Sequence, residues 1–323
     1  MGGEIRGNIL RKGGRDRITL ASISADGVVL PQGEPRDRRG ARGIPRISVI
    51  IPARNEARNL PYVFTRLPRD VYEVILVDGH STDGTVDAAK WLRPDVTIIE
   101  QRSTGKGGAL DEGVAACSGD IIVLLDADGS ADPAEIPRFV SALLLGADLA
   151  KGSRYLSGGG SADLTWLRSL GNRALTSLVN LLFRTRFSDL CYGYNAFWAD
   201  CLPYLNLTAS GFEIETLVNI RAAKAQLVIH EVPSVEGSRV HGLSNLRAIP
   251  DGWGVLKSIM QERTTPPVMK KDPPPPPQTG YGWNGIERRD KNRRYWESPE
   301  NETKQGRRAS DKSVLPPTHR DIS

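Results

Sequence analysis

Four short apolar runs punctuate the first half of the chain: ISVIIPA (47–53), EVILVDG (73–79), VTIIE (96–100) and IIVLLDA (121–127). Unbroken β-branched and leucine runs, rather than alternating ones, suit strands covered on both faces of a sheet. Helical stretches are predicted between them at 56–67, 83–92 and 107–117. This alternation predicts an α/β fold with a largely parallel central sheet, in which ligands bind at the carboxyl ends of the strands. Three polar clusters stand at those ends: Arg54, Asn55 and Glu56 after the first run; Asp78, His80, Ser81 and Asp83 after the second; Asp126 and Asp128 after the fourth. A helix is also predicted over 166–187, with leucines and valines on one face and Arg168, Arg173, Arg184 and Arg186 around it, the pattern of an interfacial helix near anionic headgroups. Packing on the domain with its arginines in solvent is the plainer alternative.

The flanks lack this pattern. Residues 1–44 are rich in Gly, Arg and Asp and read as a basic, mostly disordered arm, with one short hairpin in RITLASISADGVVL turning at Asp26-Gly27. Residues 264–323 begin with a proline run, DPPPPP, and continue polar and basic, too poor in apolar surface to fold alone. One domain is therefore expected at 45–263. With 39% apolar and 25% charged residues in a chain of 323, that domain can bury a substantial core. Cys117, Cys191 and Cys201 are too few and too irregularly spaced for a disulfide framework or a zinc site, and are expected to be packing residues in a reducing interior. The N-terminus has no apolar signal region and no stretch has the length of a membrane span, so a cytoplasmic location is expected, with any membrane contact peripheral at the inner face or through a membrane-protein partner. The net charge of +5 suits an anionic partner without choosing one.

Asp126 and Asp128, two apart at the end of an extended segment, are expected to point to one side and face one ligand. Hard oxygen ligands suit Mg2+ or Mn2+, whose remaining positions are filled by water and substrate phosphates. Simple capping of the segment is the alternative. Asp78, ending an apolar strand, is placed to accept from a nucleobase N–H or a ribose hydroxyl. Lys106 lies in STGKGGALDEG, expected to be a glycine-rich turn ahead of a helix in which glycine lets backbone approach a ligand and the lysine supplies charge; the segment is no P-loop, because G-x-x-x-x-G-K-[ST] is absent.

The order and spacing of SVIIPARNEARNL, VILVDGHSTDGT, GKGGAL, LLDADGSADP, KGSRY, SDLCYGYNAF, GFEIE and RVHGLSNL, over about residues 46–260, resemble the family 2 glycosyltransferases, most closely the dolichol- or polyprenyl-phosphate mannosyltransferase branch. The resemblance implies a GT-A fold, a Rossmann-like three-layer αβα sandwich. It also implies a nucleotide-diphosphate sugar donor of the GDP-mannose or UDP-glucose type, a divalent metal and inversion at the anomeric carbon. By position, Pro52, Arg54, Asn55, Glu56 and Asp78 resemble the nucleotide pocket, with Lys106 beside it, and Asp126 and Asp128 the metal and sugar-diphosphate site. Arg154 resembles an arginine facing the phosphates, Asp189 the aspartate before the acceptor-side turn, Glu213 and Glu215 part of the acceptor segment, and Arg239 and Ser244 the late R-x-x-G-x-S element. Two positions depart from the pattern. The usual DDGS reads DGHS, so Gly79 replaces an aspartate and His80 enters, and Ser244 is followed by Asn245 rather than lysine.

The expected activity is metal-dependent transfer of a hexose to a polyprenyl phosphate, whose oxygen is already ionised. A hydroxyl acceptor in a glycolipid, polysaccharide or small metabolite is the alternative, and would need a carboxylate base from among Asp189, Glu213 and Glu215. An acidic pair in the first turn of a helix also suits the helix dipole without catalysis. His241 reads as a loop residue rather than a base. A binding protein with an inert core and basic arms is the third reading; nucleic acid is not an expected partner.

Overall fold

The computed structural model describes residues 44–208, 211–242 and 248–269 and, near the N-terminus, two short strands. These strands, β1 (Ser22–Ile23) and β2 (Val29–Leu30), pair antiparallel as expected of the hairpin, with Ser22 opposite Leu30. The rest of the basic arm up to residue 43, the proline run and the tail lie outside the described residues, as do Ser244 and Asn245.

The main body is built on a seven-stranded sheet with helices on both sides. Its strands are β3 (Ile47–Ala53), β4 (Glu73–Asp78), β5 (Thr97–Glu100), β6 (Ile121–Leu124), β7 (Leu149–Ser153), β9 (Asn195–Trp198) and β10 (Ile229–Pro233), in the order β10-β7-β9-β6-β3-β4-β5. All neighbours are parallel except β9, which runs antiparallel to both β6 and β7. A second, two-stranded parallel sheet joins β8 (Gly160–Ser161) to β11 (Val235–Glu236). The helices are α1 (Leu60–Phe64), α2 (Thr85–Leu92), α3 (Gly105–Ala116), α4 (Ile136–Leu144), α5 (Trp166–Phe183), α6 (Leu202–Leu205), α7 (Glu213–Lys224) and α8 (Ala248–Thr264).

The central strands form because their residues are apolar on both faces: Val49, Ile50, Ile51, Ile75, Leu76, Val77, Ile121, Ile122 and Val123 have no exposed surface. Each such side chain contributes about 1.5–3 kcal/mol by leaving water. Helix α3 lies close on β3, since a Cβ at Gly113 would sit 2.4 Å from Ile50 Cγ2. Gly105, at φ 76°, opens α3 with its backbone at the cleft, beside Thr104 and Lys106, while the glycines that follow pack inside the helix. A Cβ at Gly108 would collide with Ser103 Oγ at 2.2 Å. A second apolar cluster, with Val179, Phe187, Leu190, Ile220, Val255 and Ile259 at its centre, joins α5, α7 and α8. Cys117 and Cys201 are buried and Cys191 is half-buried, and none of the three is joined in a disulfide.

The chain leaves β3 in the middle of the sheet, adds β4 and β5 on one side, and then crosses to place β6 on the other. Such a reversal opens a crevice at the carboxyl ends of β3 and β6.

Candidate active site

That crevice is the mouth of a cleft of about 1960 Å³, larger than the roughly 300–1,000 Å³ of a typical small-ligand pocket. Residues following β3, β4 and β6 line one end; α5 and α8 line the other.

At the first end, the turns after β3 and β4 are tied together. The Asn55 backbone N–H donates to Ser81 Oγ at 2.9 Å, and Asn55 Oδ1 accepts from the Thr82 N–H at 2.8 Å. Asn55 and His80 both adopt positive φ, 57° and 60°, a conformation non-glycine residues hold only when the surroundings enforce it. Asp78 is buried; its Oδ2 accepts from the Ser81 N–H at 3.1 Å, while its Oδ1 has no hydrogen-bond partner among the described residues. An orphaned buried carboxylate oxygen is costly and marks a place where a ligand donor fits. Gly79 replaces the usual second acid where space is short: a Cβ there would lie 3.2 Å from Gln101 Oε1 and 3.3 Å from Arg54 Cβ. His80 stands at the rim of the cleft, with Nδ1 3.5 Å from Glu100 Oε1.

Strand β6 ends at Leu124, three residues earlier than its apolar run, so Asp126 and Asp128 sit in a turn and not in the extended segment expected. Both face the cleft and each already has a cation. Asp126 Oδ1 lies 2.6 Å from Lys106 Nζ in the first turn of α3. Asp128 Oδ1 accepts from the Ser130 N–H and Oγ, at 3.0 and 2.8 Å, and its Oδ2 lies 3.7 Å from Arg239 Nη1. Both cations are shared with a buried glutamate. Lys106 donates to Glu215 Oε1 at 2.5 Å, and Arg239 pairs with Glu56, which also accepts from Asn59 Nδ2. Burial would lower the Lys106 pKa, but Asp126 and Glu215 outweigh it and hold the ammonium charged far above neutrality. Burial pushes the Glu56 carboxyl above its usual range despite Asn59 and Arg239.

The late segment docks on the D-x-D turn. The Gly237 N–H donates to Ser130 O at 2.7 Å and the Val240 N–H to Asp128 O at 3.3 Å. Gly129, at φ 76°, leaves room for Val240, which a Cβ would meet at 2.9 Å. His241 lines the cleft and its ring meets Tyr62 edge-on.

Arg154 and Asp189 form a structural unit beside the cleft. Asp189, fully buried, accepts from Arg154 Nε at 2.7 Å, Nη2 at 3.0 Å and the backbone N–H at 3.1 Å, and from Asn172 Nδ2 at 2.8 Å. Arg154 also reaches Glu236 at 3.1 Å and lies over the Tyr192 ring. Burial would raise the Asp189 pKa, but the hydrogen bonds and charge of Arg154 and the charge of Lys151 hold it below the usual carboxylate range. Asp189 is therefore engaged as a counter-ion. Glu213 does not join the cleft; it turns back to accept from the Gly211 N–H at 3.0 Å. Glu215, two residues on, projects from a different side of α7 and is enclosed at Gly193, where a Cβ would lie 2.4 Å from Glu215 Oε1. Of the sequence-derived candidates, Pro52, Arg54, Asn55, Glu56, Lys106, Asp126, Asp128, Arg154, Glu215 and Arg239 line the cleft, whereas Asp78 is buried behind Gly79, which does line it.

Residues 48–201 match the model of the family described as Glycosyl transferase family 2. Over 232 residues the chain is 31% identical to the polyprenol monophosphomannose synthase of Mycolicibacterium smegmatis, covering 67% of this chain and 86% of that protein. The chain belongs to glycosyltransferase family 2. A dolichol-phosphate mannosyltransferase of Pyrococcus furiosus is 31% identical over 211 residues, covering 62% of this chain; the chain spans 59% of that relative's length.

Among solved structures, the family 2 chain is similar to glucosyl-3-phosphoglycerate synthase from Mycobacterium tuberculosis in complex with Mn2+, UDP and glucosyl-3-phosphoglycerate. The identity is 25%, the TM-score 0.56, and the match covers 69% of this chain and 81% of that one. The same synthase with Mg2+ and UDP gives a TM-score of 0.54 at 25% identity. The GT-A fold expected from the motifs is the one found, and the chain is a glycosyltransferase enzyme. Among the described residues there is no group of three or more His, Cys, Asp or Glu arranged to hold a metal, and no helix long and apolar enough to cross a membrane.

Proposed function

We propose that this glycosyltransferase moves a hexose, with inversion, from a nucleotide-diphosphate sugar to a polyprenyl phosphate at a membrane surface, with Mg2+ or Mn2+ as cofactor. The observation that carries the reading is the change in character along the cleft. Beyond the charged rim, Leu164, Leu167, Leu175, Val255 and Leu256 line it, and Trp253, 71% exposed, stands at the end formed by α5 and α8. Trp166 and Leu170 extend that apolar face along α5. Helix α5 ends at Phe183, four residues short of the expected 187, so Arg184 and Arg186 lie beyond it; it buries Asn172, Thr176 and Val179 against the domain and leaves Arg173 and several apolar side chains exposed. An apolar face of this kind beside a cationic helix suits an isoprenoid chain and an anionic headgroup. The names of the two curated relatives support the same acceptor class and a mannosyl donor.

Asp78 Oδ1 is suited to accept the N–H that a uracil or guanine presents. Asp126 and Asp128 supply two hard oxygens at the cleft, which fits a cation that takes one or two carboxylates and completes its shell with phosphates and water. When bound, such a metal stabilises the charge that develops on the departing nucleotide diphosphate. Arg239, held at the D-x-D turn, adds positive charge to the same place. The three candidate bases are engaged elsewhere: Asp189 by Arg154, Glu213 by the Gly211 N–H, Glu215 by Lys106. An acceptor phosphate, ionised near neutral pH, needs none of them.

The test is direct: purified protein is titrated with GDP-mannose, UDP-glucose and UDP-N-acetylglucosamine, each with Mn2+ and with chelator. Transfer to a polyprenyl phosphate in vesicles is then compared with transfer to 3-phosphoglycerate. Metal-dependent binding of one donor and transfer to the lipid are expected. Transfer to 3-phosphoglycerate alone would replace the acceptor proposed here with a hydroxyl.

Asp78→Asn is expected to raise the donor dissociation constant about tenfold, the cost of one misplaced charge-assisted hydrogen bond, while leaving Mn2+ affinity unchanged. Calorimetry checks both; an unaltered donor affinity would remove Asp78 from the nucleotide pocket.

A further inference from the structure

Lys106 holds two carboxylates that belong to different halves of the site. Asp126 faces the donor end, and Glu215 comes from α7, 109 residues away in sequence. The lysine side chain is only 14% exposed and that of Glu215 12%, whereas that of Asp126 is 38% exposed toward the cleft. Gly193 packs against the pair so closely that a Cβ would approach Lys106 Nζ to 3.2 Å. The ammonium is therefore seated in a fitted pocket, at the carboxylate assigned above to the metal. Arg239 repeats the arrangement, shared between buried Glu56 and Asp128.

We propose that Lys106 is a built-in counter-cation that occupies Asp126 until a divalent metal arrives and then withdraws to Glu215, so that this buried pair sets the metal affinity of the site. The inference rests on the reading of Asp126 and Asp128 as the metal carboxylates. Two carboxylates without a cation would repel each other in a cleft of low dielectric, and Lys106 removes that cost in the unloaded enzyme. A metal must displace it, and the displaced charge needs a partner. Glu215 supplies that partner without leaving its own place. Lys106 is in this sense a positioning residue, tuning a site it does not complete.

The test is Mn2+ titration of the full chain by calorimetry in the absence of nucleotide, with thermal melting to report folding. Lys106→Met with Glu215→Gln replaces the ion pair by neutral side chains and leaves no lone buried charge. It is expected to bind Mn2+ about tenfold more tightly than the natural protein, because Asp126 no longer has a competitor. Glu215→Gln alone, in which Lys106 has nowhere to withdraw, is expected to bind Mn2+ about threefold more weakly. Opposite shifts from neighbouring substitutions are not the signature of a merely structural pair. Equal or weaker Mn2+ binding by the double variant, or equal or tighter binding by Glu215→Gln, would overturn the proposal while leaving the metal site standing. Absence of Mn2+ binding by every form, with or without UDP, would overturn this proposal and the metal reading together.

Discussion

Asp128→Ala is expected to abolish measurable transfer, with a loss of about a hundredfold or more in kcat, the scale seen when one preorganised electrostatic element of a transition state is removed. Asp128 has two protein contacts to lose. The Ser130 N–H and hydroxyl would be left to water, a loss on the scale of a helix cap, about 1 kcal/mol. Arg239 would keep Glu56. Thermal melting should therefore stay near that of the natural protein while Mn2+-dependent donor binding disappears. Transfer within about tenfold of normal would mean that the D-x-D turn is architecture, with its aspartates serving Lys106 and Arg239 only.

Asp189→Asn should act in the opposite way, on stability before chemistry. Its carboxylate carries three hydrogen bonds from Arg154 and one from Asn172, and its charge faces Lys151, which is completely buried in β7 and donates to Gly152 O at 3.1 Å. The neutral amide would leave two buried cations with Glu236 as the remaining carboxylate on Arg154. A loss of about 3–5 kcal/mol in unfolding free energy is expected, measured by urea titration. The sign of the pH dependence follows from the lowered pKa of Asp189. Its contribution is fully present above the ordinary aspartate range and disappears as pH falls through the lower value it has in the folded chain. The variant should therefore lack that part of the acid-induced loss of stability. A melt unchanged from the natural protein would return Asp189 to the list of candidate bases.

The parts of the fold read directly from sequence are those whose residues settle their own environment. ISVIIPA became β3 without a change of boundary, and EVILVD became β4, because unbroken apolar runs have few alternatives to a doubly covered strand. The sequence LAKGS of β7 carries no such signal. Its lysine, glycine and serine are buried only because β9 and β10 flank it, and Lys151 is tolerated because Asp189 and Glu231 lie near. NAFW of β9 is likewise a strand by virtue of its neighbours.

The same distinction holds in the site. The strand-end residues Asn55, Asp78 and Asp126 were legible because topology alone brings them to one rim. The pairing of Lys106 with Glu215 was not, since its members are brought together only by the packing of α7 beside α3. Glu213 and Glu215 looked equivalent as an acidic pair; helix geometry separates them, sending one back to the Gly211 N–H ahead of the helix and the other into the cleft.

Strand β9 runs against its neighbours, so the chain enters that strand at the rim where the others end. Cys191, Tyr192 and Gly193 therefore reach the cleft from the approach to a strand, whereas Asn55, His80 and Asp128 reach it from the departures of three others. One cleft is thereby walled by chain segments of opposite sense, and a shift in the packing of β9 would move one group of lining residues without carrying the strand-end residues of β3, β4 and β6 along.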